Sequence, residues 1–373
     1  MNKYFGVVWA FLGVGILFTS ASYFARDIKD SASSETIISE PQKPKHIKTP
    51  DAVRAIYMTS WVAGTKEWRA ELVEFVKKSE LNSIVIDVKD YTGRVSFDTE
   101  NPAIKEMGSE EIRVKDMKDF IETLHDAGIY AIARITVFQD PFYSKKHLEI
   151  AVQKKNGAIW KDKKGLSYSD PGAKEFWDYT IEVAKASERA GFDELNFDYI
   201  RFPSDGNMKD IAFPISKNKN KVEVLTEFFK YLSEELKETG VPISADVFGM
   251  TTTNYDDLNI GQVLENIAPY FDYVAPMVYP SHYPPTFQGF KNPAAHPYEV
   301  VRYSMSKAVE RLSAPTSTPS KLRPWLQDFD LGATYDKTKV RAQIQAVYDS
   351  GLTSWMSWDA GNKYTRDAYN IEP

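Results

Sequence analysis

Cysteine is absent from the chain, which excludes disulfides, thiolate zinc sites and cysteine nucleophiles. Histidine is scarce, five residues in 373, and forms no metal-binding cluster; there is no HExxH. The GxSxG elbow of serine hydrolases and the Walker phosphate loop are missing as well. Positive charge is outnumbered, with 46 Lys and Arg against 52 Asp and Glu, a net charge of −6 and a pI near 5.6. Nucleic acid is therefore not an expected partner, since phosphate binding calls for a basic patch. No spacing of carboxylates matches a calcium loop, and the sequence calls for no cofactor and no metal.

Long apolar runs are missing everywhere but once. Residues 5–24 (FGVVWAFLGVGILFTSASYF) carry no charge, enough as a helix to span about 30 Å of hydrocarbon. The run exceeds the core of an ordinary signal peptide, so an uncleaved single-pass anchor is favoured over a cleaved export signal. Residues 1–26 are thus read as anchor or signal. Polar, proline-containing residues 27–52 are read as a flexible linker, and 53–373 as one catalytic domain outside the cytoplasm, secreted if the N-terminal segment is cleaved.

What is abundant is alternation. Eight short apolar runs, at 55–59, 83–89, 130–137, 194–199, 243–248, 273–278, 323–327 and 354–358, are separated by seven helical patterns. That count and order predict an α/β fold with a parallel sheet, a (β/α)8 barrel. A doubly wound open sheet is the runner-up, but Thr59, Ser60 and Trp61 stand where its glycine-rich phosphate loop belongs.

Active sites of such barrels lie where strands end. Those ends carry Trp61; Asp87 and Lys89; Arg134 and Gln139; Asn196, Asp198 and Arg201; Asp246; Tyr279 and His282; Gln327 and Asp328; Trp358 and Asp359. Acids, aromatics and amides together suit carbohydrate chemistry: two carboxylates for proton and nucleophile work, rings for sugar faces, amides and arginine for hydroxyls. In the stretch 191–203 (GFDELNFDYIRFP), Glu194, Asn196 and Asp198 share one face, which aims Asp198 into the barrel mouth. Asp246 is a lone acid in an apolar run, costly to bury unless used or paired. Asp87 and Lys89 share a face and read equally as an ion pair. Asp328 and Asp359 sit where acids also serve turns. Arg134 or Arg201 is the expected partner of Asp198. Trp61, Tyr91, Phe138, Tyr279, Tyr283 and Trp358 offer stacking surfaces, and the proline- and aromatic-rich residues 279–298 are expected to form a groove wall.

Five segments, YMTSW (57–61), VIDVKDYTGRVSF (85–97), FDELNFDYIRFPSDG (192–206), SADVFG (244–249) and APMVYPSHYPP (275–285), resemble a family of bacterial, often membrane-anchored TIM-barrel proteins. That family is a domain of unknown function grouped with the glycoside hydrolase superfamily. The resemblance covers nearly all of 54–369 and implies a polysaccharide or oligosaccharide substrate. Related barrels such as the α-amylases place acids after strands four, five and seven, which here are Asp198, Asp246 and Asp328; at the fifth those enzymes use glutamate. The DxxDxDxE pattern of chitinase-like barrels is absent. A non-catalytic carbohydrate-binding barrel and a metal-assisted hydrolase remain as alternatives. Protein partners stay unknown.

Overall fold

The computed structural model describes residues 44–313 and 318–369. The apolar run 5–24 and most of the linker lie outside the described residues. Among the described residues, no helix is long and apolar enough to cross a membrane.

Eight parallel strands close a barrel in sequence order: β1 (Arg54–Met58), β2 (Ser83–Lys89), β3 (Tyr130–Thr136), β4 (Glu194–Asp198), β5 (Ile243–Phe248), β6 (Tyr273–Met277), β7 (Trp325–Gln327) and β8 (Trp355–Trp358). Between them run α1 (Lys66–Lys77), α2 (Met117–Asp126), α3 (Lys174–Arg189), α4 (Lys221–Leu236), α5 (Leu264–Ile267), α6 (Pro297–Leu312) and α7 (Lys337–Asp349). Parallel strands covered on both faces read as near-continuous apolar runs, which is why these eight were legible. Most ends agree with expectation to within one residue, and two show why they shift. β4 stops at Asp198 because Tyr199 turns to φ +54°, a left-handed conformation. β7 begins only at Trp325, since Pro324 has no N–H to extend the ladder.

Alternation sorts the side chains into two cores. Ile56, Ile84, Ile86, Ala133, Leu195, Phe197 and Val247 face the helices, whereas Ala55, Val85, Ile132, Ala275, Trp325 and Met356 fill the barrel. Residues 44–52, the end of the expected linker, lie against the barrel's lower end. There Ile47 packs on the inner core and its N–H donates to Asp193 Oδ1 at 2.8 Å.

On the inner face of β4 the three polar residues form a column. At the bottom, Arg323 Nη1 donates to both Glu194 oxygens, at 2.8 and 2.9 Å, and Tyr130 Oη adds a third donor at 3.1 Å. In the middle, Asn196 Nδ2 donates to Ser244 Oγ at 3.0 Å and Asp246 Oδ1 at 2.9 Å. Asp198 stands at the rim.

Above the barrel, the long connections after β3 and β4 build one wall jointly. Gln153–Lys154 pairs antiparallel with Ile211–Ala212, and Val152, Trp160 and Tyr168 form a small core with Tyr199 and Phe213. Trp160 Nε1 donates to the Asn207 carbonyl at 3.0 Å. Gly206 makes the fit possible: its φ is +124°, and a Cβ there would lie 2.6 Å from the Trp160 ring.

Glu194 and Arg323 are both essentially inaccessible to solvent. Removing one partner of such a pair strands the other charge, which costs about 3–5 kcal/mol. Glu194→Leu is therefore expected to lower the chemical denaturation midpoint by that equivalent, and adding Arg323→Met to recover much of it. A single variant within about 0.5 kcal/mol of wild type would refute this account of the barrel's lower end.

Candidate active site

Strand register brings the ends of β2, β3, β4 and β5 onto one guanidinium. Arg134, on β3, donates from Nη1 to Asp87 Oδ1 at 2.6 Å and from Nη2 to Asp198 Oδ2, and its Nε lies 3.7 Å from Asp246 Oδ2. Asp87 also accepts from the Tyr57 hydroxyl on β1. Asp198 accepts a second bond from the Tyr199 N–H at 2.6 Å, placed there by the left-handed turn. Asp246 Oδ1 accepts from Asn196 Nδ2 and from Trp325 Nε1 at 2.8 Å. Tyr57 stacks on Trp358 with centroids 3.8 Å apart, and the Arg134 guanidinium lies 4.9 Å from the Trp358 ring.

Three carboxylates surround a single cation, so they are not equivalent. Burial pushes the Asp87 carboxyl up, opposed by Arg134 and the Tyr57 hydroxyl. Burial, then the nearby negative charge of Asp198, raises Asp246 to about 8, against the pull of Arg134 and its two donors. Burial works against the charge of Arg134, but Asp87, Asp198, Tyr57 and Asp246 together hold it protonated well above its usual value. Arg134 pairs directly with two acids, and the third keeps its proton at neutral pH.

The cavity over this floor has a volume of about 780 Å³, within the usual range for ligand sites. At one edge stand Trp61, 61% exposed, and Tyr91, 56% exposed. Beneath Trp61 the Arg113 guanidinium sits 4.4 Å from the ring, fixed by Asp90, by Glu111 at 2.9 Å and by Ser60 Oγ at 2.9 Å. The joint wall contributes Lys164, Leu166, Tyr199 and Arg201, and the loop after β6 contributes Tyr279 and His282.

Of the residues expected at the site, Trp61, Asp87, Tyr91, Arg134, Gln139, Asp198, Arg201, Asp246, Tyr279, His282 and Trp358 line the cavity. The others are placed elsewhere. A bulge between Asp87 and Lys89 breaks their shared face. Lys89 therefore turns outward, donating to the Thr136 carbonyl at 2.6 Å and pairing with Asp140 at 2.8 Å. Asn196 lies under Asp246, buried. Asp328 is held behind the barrel by Thr365 N–H at 2.9 Å, Thr365 Oγ1 at 2.7 Å and the Tyr369 hydroxyl at 2.8 Å, and burial raises it to about 6. Gln327 braces loops, accepting from Ser281 N–H and donating to the Phe329 carbonyl. Asp359 closes its own turn onto the N–H groups of Gly361 and Lys363. Phe138 is core, 4.9 Å from Phe228, and the Tyr283 hydroxyl faces Ser304. Of the loop 279–298, only Tyr279 and His282 reach the cavity; Phe287 packs on Tyr303 of α6 and Phe290 on His296.

Sequence reasoning placed Tyr199 at the end of β4 but missed Tyr57 and Lys164. Strand alternation with Ala55 was a usable signal for Tyr57. For Lys164 there was none, because its place depends on the pairing of two distant loops.

The family model described as "Putative glycosyl hydrolase domain" matches residues 55–364. No curated protein matches the chain. Among solved structures, a hypothetical protein of Ruminiclostridium thermocellum ATCC 27405 is 38% identical, covering 52% of this chain and 97% of its own, with a TM-score of 0.48. The glycoside hydrolase domain of PgaB (BpsB) from Bordetella bronchiseptica is 14% identical over 86% of this chain and 100% of its own, TM-score 0.61. A class V chitinase of Pseudomonas fluorescens Pf-5 is 12% identical over 85% and 98%, TM-score 0.52. These last two likenesses are of fold.

Asp246 gives the site a pH signature in stability. Its folded-state proton is held to about 8, whereas a solvated aspartate loses it near 4. Between those values the unfolded chain binds fewer protons than the native one, so Asp246 makes stability fall as pH rises. Asp246→Asn is expected to flatten the decline of the melting temperature between pH 5 and pH 9. An unchanged slope would mean that Asp246 does not carry the proton.

Proposed function

Because the chain belongs to this glycosyl hydrolase domain family, we propose that it hydrolyses glycosidic bonds with Asp246 as general acid and Asp198 as the second carboxylate. The observation that carries this reading is the shared guanidinium, with one acid ion-paired to it and another protonated beside it. Two carboxyl groups in contrasting environments are what the reaction needs. Asp246 passes its proton to the leaving oxygen. Asp198 supplies negative charge at the anomeric centre, as nucleophile in a retaining reaction or as the base toward water in an inverting one. Arg134 is a positioning residue that sets both carboxylates. The exposed, braced Trp61 with Tyr91 supports stacking of a sugar beyond the cleavage point, and so a polymeric substrate.

The uncharged run 5–24 supports placing the protein at a membrane, with 1–26 as anchor or export signal, 27–52 as linker and 53–373 outside the cytoplasm. Polysaccharide of the envelope or beyond is then the material within reach.

Release of reducing sugar by the full-length protein from a polysaccharide panel tests the reading. Asp198→Asn and Asp246→Asn are each expected to lower kcat/KM by about 10²–10⁴-fold. Because Asp246 must be protonated to act, wild-type kcat/KM falls as pH rises through about 8. An aryl glycoside with an acidic leaving group restores Asp246→Asn more than Asp198→Asn, since such a leaving oxygen needs no proton. Wild-type rates in both variants would remove the carboxylates from the reaction.

A further inference from the structure

The charged groups of the cavity floor are paired with one another, but the cations of its wall are not. Lys164 and Arg201 both line the cavity, and both come from the wall built by the connections after β3 and β4. Arg201 donates from Nη1 only to the Phe202 carbonyl and Ser204 Oγ, each at 3.1 Å, and its guanidinium lies 5.1 Å from the Tyr199 ring. Among the described residues, no carboxylate comes within ion-pair distance of either cation. Most other arginines facing this region are paired: Arg134 with Asp87 and Asp198, Arg113 with Asp90 and Glu111. The acids on the same wall do not serve these cations. Asp162 spends one oxygen on the backbone N–H groups of Lys164 and Leu166, both at 2.9 Å. Asp205 is close enough to act on the Tyr168 hydroxyl, yet pairs with neither cation.

The facing loop brings no compensating charge. His282 is pushed down by burial and by Lys164, so it faces the cavity as a neutral ring, and Tyr279 keeps its proton through burial. With Asp87 and Asp198 set against Arg134, and Asp246 protonated, the floor carries a small negative charge confined to its centre. The wall carries two positive charges without an ion-pair partner among the described residues, on a segment fixed by the buried Trp160 and the Gln153–Lys154 ladder. Lys164 is exposed and Arg201 half-buried, so neither is locked to a protein partner and both can turn toward a ligand in the cavity. A carboxylate on the sugar would meet a lysine and an arginine from one side, as charge-assisted hydrogen bonds require.

We infer that Lys164 and Arg201 form an anion subsite, and that the substrate is an acidic glycan bearing a carboxylate on the sugar that lies against the wall. This deepens the glycosidase reading and rests on it. Carboxylate at that position selects the substrate; it takes no part in bond cleavage. Neutral polymers and those rich in amino sugars are disfavoured, the latter by direct repulsion.

Matched substrates test it. Each uronate-containing polysaccharide of the panel is offered to the full-length protein as such and after carboxyl reduction to its neutral form. The acidic form is expected to be turned over at least about 10-fold better in kcat/KM, with the ratio shrinking as salt rises. In Lys164→Gln/Arg201→Gln the ratio of acidic to reduced substrate falls toward one. Preference for the reduced form, or a ratio that survives in the double variant, overturns the inference. A second arm is independent of cleavage: calorimetric titration of the full-length protein with glucuronate and with glucose. Glucuronate is expected to bind more tightly, and the double variant to lose that difference; equal affinities overturn the subsite. If no polysaccharide is cleaved while glucuronate still binds through Lys164 and Arg201, the glycosidase reading fails and the anion subsite stands.

Discussion

The guanidinium of Arg134 is the constraint on which the upper barrel depends. It is buried with Asp87, Asp198 and Asp246 around it, and like charges so close cannot all be ionised without a cation among them. The acids in turn keep the arginine charged in a place where burial opposes it. No member of this group is separable from the others. The stacked Tyr57 and Trp358 rings close over the same guanidinium, restricting the water that would otherwise screen it.

Along the barrel axis the same type of interaction serves two ends. At the bottom Glu194 and Arg323 neutralise one another, with Tyr130 completing the donors and Ile47 packed nearby. Nothing is left over for chemistry. At the top, one cation is shared among three acids, and the remainder is a proton on Asp246. Between them Asn196 and Trp325 transmit position: each hydrogen-bonds Asp246 from below, so the acid is held by the packed middle layer of the barrel rather than by a loop. On the proposed reading a stiff floor serves the chemistry and the wall above it serves recognition.

Much of this was legible in sequence, and for identifiable reasons. Continuous apolar runs marked strands buried on both faces, and period-two alternation in 194–198 marked the polar column. The same rule failed at Lys89, where a bulge reverses the facing of one residue and leaves no trace in the residue types. It failed differently at Asp328, an acid in the expected position after β7 whose oxygens are captured by Thr365 and Tyr369, close in space and about 40 residues away in sequence. The wall was invisible because Gln153 and Ala212 meet only in the fold. Of the proline-rich loop that sequence favoured as a wall, Tyr279 and His282 line the cavity while Phe287 packs on α6.

The residue after Asp198 shows what a strand end, rather than a strand middle, offers a carboxylate. Had Tyr199 continued the extended chain, its N–H would have been offered to the neighbouring strand. In the left-handed turn it is released from the ladder and directed at Asp198 Oδ1. Such a backbone costs on the order of 1–3 kcal/mol for a tyrosine. The packing of its ring beside Trp160 and Tyr168 offsets that cost, and both Asp198 oxygens gain donors from different directions. The wall that carries the unpaired cations is therefore also what holds Tyr199 in place. On the proposed reading, recognition and the setting of the second carboxylate are joined at the Tyr199 peptide, so loosening the wall would reach Asp198 through a single peptide group.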